Sequence, residues 1–502
     1  MTSKPVRLRV APSPTGYPHV GTAFQALFDY IYAKKKVGQF IIRIEDTDQK
    51  RLVPEAEEVI YEALDWLKIY PDESPMLGGP FGPYRQSERL PLYRKYAQEL
   101  MKKKKAYYCF CSTERLKEMR RAQQQQKLPP RYDRQCFHLS PAEVKKKLQS
   151  GEKAAIRMLI PENETIAVND LLRGEVKFDS NLLDDQVILK SDGFPTYHLA
   201  VVVDDHLMQI SHVVRGEEWL PSSPKHVLLY RFLGWQEPRW IHTPILRNPD
   251  HSKLSKRHGH TSIEWYREQG YLPEALINFL ALLVWNHPQE KEIFSVEEMI
   301  EYFDFAQMRF LAPIFDLTKL DWLNGNHLRL LTLDELAARV KDWALRNVKK
   351  GDGEVIQNSA PVLEWMDADL ESFKDRLALA QDRLKKFSEV REALEFYYQE
   401  KLIYDREDLL QGYNPPEVLD ILRQAKKVLE DLQDWESEVW EKSLRELADE
   451  LEIKHKDLFM ILRAATTARK ATPPLFDVML VVGKEKVFQR IDQAAEFLKG
   501  QR

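Results

Sequence analysis

The chain of 502 residues holds only three cysteines, an odd number, which excludes a disulfide framework. It has no run of about 18 uncharged apolar residues, so no membrane span is expected. Its first residues, MTSKPVRLRVAPSP, alternate charged and apolar side chains and lack the apolar core of a signal peptide. A cytosolic location is the expectation. The net charge of -4 excludes a polycation that coats nucleic acid indiscriminately, although a local basic face remains open. Neither a Walker-type phosphate loop nor a dinucleotide-binding glycine motif is present. There is no internal repeat, and the QQQQ run at 123–126 is too short to act as a low-complexity segment.

What is present reads as an ordinary globular mixture, 43% apolar and 30% charged, enough for several cores. The length predicts about three to four structural units. Val6, Leu8 and Val10 alternate with Arg7 and Arg9, a strand pattern. A Pro/Gly-rich turn follows, then a helix with Ala23, Ala26, Leu27, Tyr30 and Ile31 on one side. FIIRI (40–44) reads as a second buried strand, and Pro54 opens a helix carrying Ile60, Ala63, Leu64 and Leu67. Two strands with a helix between them predict a parallel βαβ crossover. The turn-rich GGPFGPYRQSERL (78–90) marks a boundary, and a basic stretch runs to about 190. AVVVDD (200–205) and ISHVV (210–214) are read as strands of a resumed α/β domain, which makes 86–190 an insertion. Beyond about 330 nearly everything reads as helix. Val418, Leu422, Ala425, Leu429 and Leu432 form one core stripe; Leu444, Leu447, Ala448 and Leu451 form another.

Three segments carry chemistry. In RVAPSPTGYPHVG (9–21), where strand becomes helix, Gly16 and Gly21 permit tight turns and close ligand approach. The helix start offers free N–H groups and a positive dipole end to a phosphate, and His19 a donor beside them. In RIEDTD (43–48), three acidic residues at a strand's end suit an amine or a ribose hydroxyl. In KLSKR (253–257), three cations within five residues suit a clamp on phosphates during in-line displacement. Each alone is commonplace as surface chemistry.

A fourth pattern lies in the basic stretch. Cys109, Cys111, Cys136 and His138 form C-x-C…C-x-H within a short window, two close pairs that suit a closed tetrahedral Zn²⁺ site. Tyr132 is an alternative to His138. Residues 102–147 hold 14 Lys or Arg against four Asp or Glu. With Tyr107, Tyr108 and Phe110 nearby, this face suits RNA backbone and end-base contacts.

PHVG, RIEDTD and KLSKR, in this order and spacing, resemble the class I aminoacyl-tRNA synthetases. PHVG stands where that family has its HIGH motif and KLSKR where it has KMSKS; the spellings suit the glutamyl branch. The resemblance continues through GPYRQSERLPLY (82–93), FPTYHLAVVVDDH (194–206) and VVRGEEWLPSSPKH (213–226). It implies an α/β fold with a Rossmann-like catalytic domain (1–85 and 191–250), an inserted zinc-bearing acceptor-stem-binding domain (86–190), a KLSKR loop and stem-contact region (251–330), and an α-helical anticodon-binding region (331–502). It implies activation of L-glutamate by ATP with Mg²⁺ and transfer to tRNA-Glu. His19, Lys253 and Lys256 would be catalytic, with His19, Gly21 and Lys256 at ATP. Arg9, Ser13, Glu45, Tyr197 and Arg215 would bind glutamate. Val201 stands where some relatives carry Asn. The family expectation is a monomer with a structural zinc. Alternatives are a form that also charges tRNA-Gln, and a glutamyl-queuosine tRNA-Asp synthetase, which lacks the helical extension. A glutaminyl enzyme would carry a β-barrel there, and a non-catalytic relative would have lost His19 or the KLSKR lysines.

Overall fold

The computed structural model describes residues 5–254, 261–350 and 353–500. The described residues form two compact units. One comprises residues up to 265 together with 276–317; the other comprises 266–275 and the chain from 318 onward. The stretch 251–330, expected to be one piece, is therefore shared between them.

The first unit opens with β1 (Arg7–Val10), α1 (Val20–Lys35), β2 (Gln39–Ile42) and α2 (Ala56–Trp66). β1 and β2 pair in parallel, Leu8 opposite Phe40 and Val10 opposite Ile42, which is the expected crossover. The alternation in β1 has a different meaning from a half-wet strand, however. All four of its residues are buried, arginines included. A parallel strand covered on both faces leaves no wet side, so each arginine takes an internal carboxylate. Arg7 forks onto Glu73 at 2.7 and 2.9 Å, and Arg9 onto Asp205 at 2.9 and 3.1 Å.

The chain continues through α3 (Leu90–Lys102), β3 (Ala106–Cys109), α4 (Thr113–Gln125), α5 (Pro141–Gln149), β4 (Ala155–Met158), β5 (Thr165–Asp170), β6 (Gly174–Asp179) and β7 (Val187–Leu189). It returns through α6 (Tyr197–Leu207), β8 (His212–Gly216), α7 (Ser223–Leu233) and β9 (Arg239–Thr243). Strands β3, β4 and β7 make an antiparallel sheet. The β5–β6 hairpin does not stay with it. The second sheet has the order β6-β5-β9-β8, with β5 meeting β9 in parallel at Asp170 and Trp240. The stretch 86–190 is thus not wholly separate, because its hairpin is built into the catalytic sheet.

AVVVDD (200–205) is a helix, not a strand. Valines favour strands, yet Val201, Val202 and Val203 are buried within one apolar cluster with Ile166, Val213 and Leu228. Every residue from Leu199 to Asp205 is buried, so the helix is covered on all sides, and here tertiary burial overrides local preference. Val201, which stands where some relatives carry Asn, is part of this core.

The second unit is helical, and among its described residues no strand occurs. The two predicted stripes share one core: Val418, Leu422, Ala425, Leu429, Leu444, Leu447 and Ala448 are buried, while Leu432 and Leu451 at the stripe ends are partly so. No described helix is long and apolar enough to cross a membrane.

Candidate active site and cysteine cluster

A cleft of about 870 Å³ opens in the first unit, and all five residues expected at glutamate line it: Arg9, Ser13, Glu45, Tyr197 and Arg215. They come from β1, the turn after it, the end of β2, the first turn of α6 and β8. Beneath the cleft lies a charge cluster that sequence reasoning missed. Arg43 is fully buried and reaches Asp205 at 2.6 Å, Glu45 at 3.2 Å and Asp204 at 3.8 Å. Asp204 also holds Arg89 at 2.7 Å. The buried carboxylates Asp204, Asp205 and Glu45 are thereby matched by Arg9, Arg43 and Arg89. Burial lifts the Glu45 carboxyl above its ordinary range, against the pull of Arg43 and Arg9. The adjacent aspartates at the end of an apolar run, facing an arginine on β1 and one just past β2, were the available signal. Reading the run as a strand hid it.

Arg215 is different. It is buried, and among the described residues no carboxylate pairs with it. Its partners are neutral: Nε donates to His242 Nε2 at 3.0 Å, Nη1 to His226 Nδ1 at 3.0 Å, Nη2 to Ser223 Oγ at 2.7 Å, with Tyr197 Oη at 3.4 Å. Its guanidinium lies 5.1 Å from the Trp240 ring centre. The buried Asp170 carboxylate stands one imidazole away, 2.7 Å from His242 Nδ1. Among the described residues no carboxylate touches the guanidinium itself, which suits direct pairing with a ligand carboxylate.

The imidazoles around Arg215 stay neutral. Burial, helped by nearby cations, pushes His198 down to about 3 and holds His226 well below its usual range; burial also lowers His242, with Asp170 pulling the other way. On unfolding, each ring regains its ordinary affinity near 6.5. The unfolded chain then binds protons that the folded chain refuses, so the stability these rings contribute is complete above 6.5 and is lost as pH falls toward the folded values. The expected cost is about 1.4 kcal/mol per pH unit for one such ring. Melting temperature should fall between pH 7.5 and 5.5, and the fall should be shallower in His198→Asn. Equal slopes in the two proteins would contradict this.

A second pocket, of about 290 Å³, is lined by His19, Gly21, Gly216, Thr243, Lys253 and Leu254 among others. His19 caps α1, and its Nδ1 accepts the Gly21 N–H at 2.9 Å. In the neutral ring this places the proton on Nε2. An added Cβ at Gly21 would lie 3.2 Å from that Nδ1, so the cap is tight. No acidic residue stands in the first turn of α1, so its positive end is uncompensated. The backbone N–H groups expected to be free there are taken, however: Val20 donates to Thr261 O, and Thr22 and Ala23 to His19 O. Anion contact at this end therefore falls to side chains. Lys253 sits 3.6 Å from Glu218 in an exposed pair that a phosphate could displace. Lys256 lies outside the described residues.

In the basic stretch, the sulfurs of Cys109, Cys111 and Cys136 lie within 4.8 Å of one another. This is near the edge, roughly 3.8 Å, of a tetrahedron with metal–sulfur bonds of about 2.3 Å. His138 is outside the group. It is exposed, its ring against Phe137 at 5.5 Å, because the turn Gln135–His138 points Cys136 inward and the residue two further on outward. Tyr132 takes the place beside the sulfurs, its hydroxyl 3.1 Å from Cys111 Sγ and accepting the Cys136 N–H at 3.1 Å. Burial, and crowding by the other two sulfurs, push the Cys111 thiol up to about 11. A dication would reverse that crowding. Tyr107, expected at RNA, is instead buried and donates to Asp185. Lys102, Lys103, Lys104 and Lys105 remain exposed, and no residue of α4 or α5 is buried.

Residues 5–322 match the family model described as tRNA synthetases class I (E and Q), catalytic domain, and residues 335–495 match an anticodon binding domain. Crossover, cleft and phosphate end thus define a class I aminoacyl-tRNA synthetase with an anticodon-binding region. Over 490 residues the chain is 46% identical to a glutamate–tRNA ligase of Dehalococcoides mccartyi, covering 97% of each chain. It is 45% identical to that of Acidothermus cellulolyticus, covering 98% of this chain and 95% of the relative. The solved structure of a glutamate tRNA ligase from Elizabethkingia meningosepticum, in complex with its amino acid, matches with a TM-score of 0.86 at 34% identity, covering 99% of this chain and 100% of that one. The chain belongs to the glutamate–tRNA ligases.

Proposed function

We propose that the cleft selects L-glutamate by charge, with Arg215 receiving its side-chain carboxylate. Glu45 takes the ammonium, and Arg9, Ser13 and Tyr197 complete the pocket. The observation that carries this reading is a buried guanidinium held only by neutral groups on the wall of a cleft. A glutamine side chain would leave that charge unanswered, and an unpaired buried charge is costly. His19, Gly21 and Lys253 line the neighbouring pocket, which would take the phosphates, and the KLSKR resemblance gives Lys256 a role there. Mg²⁺ enters with ATP and offsets phosphate charge. The glutamate α-carboxylate oxygen attacks the α-phosphate, the bond to the β-phosphate oxygen breaks, and pyrophosphate leaves. A hydroxyl of the tRNA 3′ terminus then attacks the acyl carbon, giving glutamyl-tRNA and AMP. The chain carries out this ligation in the cytoplasm, as a monomer.

Charging of purified tRNA-Glu and tRNA-Gln with labelled glutamate, side by side, tests the reading. ATP-dependent glutamylation of tRNA-Glu is expected. Charging of tRNA-Gln at a comparable rate would assign the broader specificity, and charging of neither would overturn the reading.

The three cysteines and Tyr132 would hold a structural zinc that joins β3 to the turn carrying Cys136 and so organises the base of the lysine-rich face. Protein purified without chelator should contain about one zinc per chain. His138→Ala should keep it, whereas Cys111→Ser should lose it. Metal analysis that finds zinc lost from the His138 variant would return the fourth position to that residue.

A further inference from the structure

We propose that Asp170 and His242, with His226 and His198 behind them, are positioning residues that set the Arg215 guanidinium for glutamate. The inference rests on the reading of the cleft given above. A guanidinium has five N–H donors and no acceptor. For His242 to accept from Arg215 Nε, its Nε2 must be bare and its proton must sit on Nδ1. Asp170 secures that tautomer, since its Oδ2 lies 2.7 Å from His242 Nδ1. Asp170 is itself locked: Oδ1 accepts the N–H groups of Leu172 and Arg173 at 2.9 and 3.0 Å, and Oδ2 accepts the His242 N–H at 2.9 Å.

His226 repeats the arrangement on the other side. Its Nδ1 accepts from Arg215 Nη1, so its proton is on Nε2 and is donated to His198 Nδ1 at 2.9 Å. Ser223 Oγ accepts from Nη2 and directs its hydroxyl proton to Trp219 O at 3.4 Å, which leaves the single lone pair of His242 Nε2, 3.0 Å away, to Arg215 Nε. Three acceptors thus fix the guanidinium plane and spare two N–H donors, with only the 3.4 Å Tyr197 contact otherwise made. Because every acceptor is neutral, the plane is oriented without spending the charge on a resident carboxylate. Asp170 contributes its charge one ring removed. It also stands at the end of β5, so a strand of the basic stretch supports the amino-acid pocket.

The wrong tautomer would point an N–H at an N–H and turn the guanidinium. Asp170→Asn offers an amide to His242 Nδ1 and favours that wrong tautomer, by the same logic as removing the charge of a triad aspartate in serine proteases. The expected result is a glutamate KM raised about tenfold or more, with kcat and the KM for ATP within about threefold, and a smaller preference for glutamate over glutamine. Loosening of the turn at Leu172 would also harm the enzyme, so a cycle separates the two causes. In His242→Gln, the side-chain oxygen can accept from Arg215 without needing a tautomer. Asp170→Asn should then change the glutamate KM by less than about threefold in that background. An equal penalty in both backgrounds would make Asp170 merely structural and overturn the proposal. Arg215→Ala, measured alongside, distinguishes the failures. If it leaves the glutamate KM unchanged, the cleft reading fails; if it raises the KM while Asp170→Asn does not, only the positioning role fails.

Discussion

Replacing Arg215 with alanine is expected to lower kcat/KM for glutamate by about 10³, the largest single loss in the pocket. Removing one partner of a buried, hydrogen-bonded charge pair costs roughly 2–5 kcal/mol, and each 1.36 kcal/mol is about a factor of ten. Arg215 belongs at the upper part of that range because no second cation replaces it. Arg9 is committed to Asp205, and Arg43 is shared among Asp204, Asp205 and Glu45. Truncation would also leave His242, His226 and Ser223 without their donor. Arg215→Lys should recover little, since one ammonium cannot satisfy three acceptors in a plane and still face the ligand. Discrimination against glutamine should weaken in both variants, while the KM for ATP should stay within about threefold because Arg215 does not line the pocket of His19 and Lys253 proposed for the phosphates. A glutamate kcat/KM within about tenfold of the unsubstituted enzyme would show that the carboxylate is held elsewhere.

His19→Ala is expected to lower kcat by about 10²–10³, the usual effect of losing one preorganised donor at developing charge. The cap geometry makes this more specific than a generic basic residue. Gly21 N–H occupies Nδ1, so the neutral ring carries its proton on Nε2, and the side chain lines a pocket shared with Lys253. Alanine removes two things at once, the helix cap and the phosphate donor, and cap loss alone costs about 0.5–2 kcal/mol of stability. His19→Asn separates them. Its side-chain oxygen can accept the Gly21 N–H and keep the cap, but it has no ring nitrogen in the Nε2 position. Melting temperature should therefore be nearly restored in His19→Asn while kcat stays low. Recovery of kcat together with the melting temperature would reduce His19 to a helix cap. The N–H groups of Val20, Thr22 and Ala23 are bonded to backbone carbonyls, and His19→Asn keeps the Gly21 N–H bonded as well, so in that variant the backbone at this end should not compensate for the lost donor.

Much of this protein was legible along the chain because the relevant signals are local. PHVG, RIEDTD and KLSKR are contiguous motifs. The crossover follows from apolar runs of the right length, and the helical second unit from repeated stripes such as Val418, Leu422, Ala425 and Leu429. The five residues that share the wall of the cleft could also be named in advance, because each sits inside a segment that carries the resemblance. The tertiary structure decided which charges are left over. Arg9 and Arg215 look equivalent in sequence, each an arginine flanked by apolar residues of a strand. They differ because α6 delivers Asp205 to one, while β9 and α7 deliver only neutral imidazoles to the other. The helix at 200–205, the exposed His138 and the inward Tyr132 have the same origin. A side chain's partners are set by segments tens to hundreds of residues away, such as Asp205 for Arg9 across 196 positions. Burial makes those pairings decisive, because a charge removed from water must be matched within the fold or kept for the ligand.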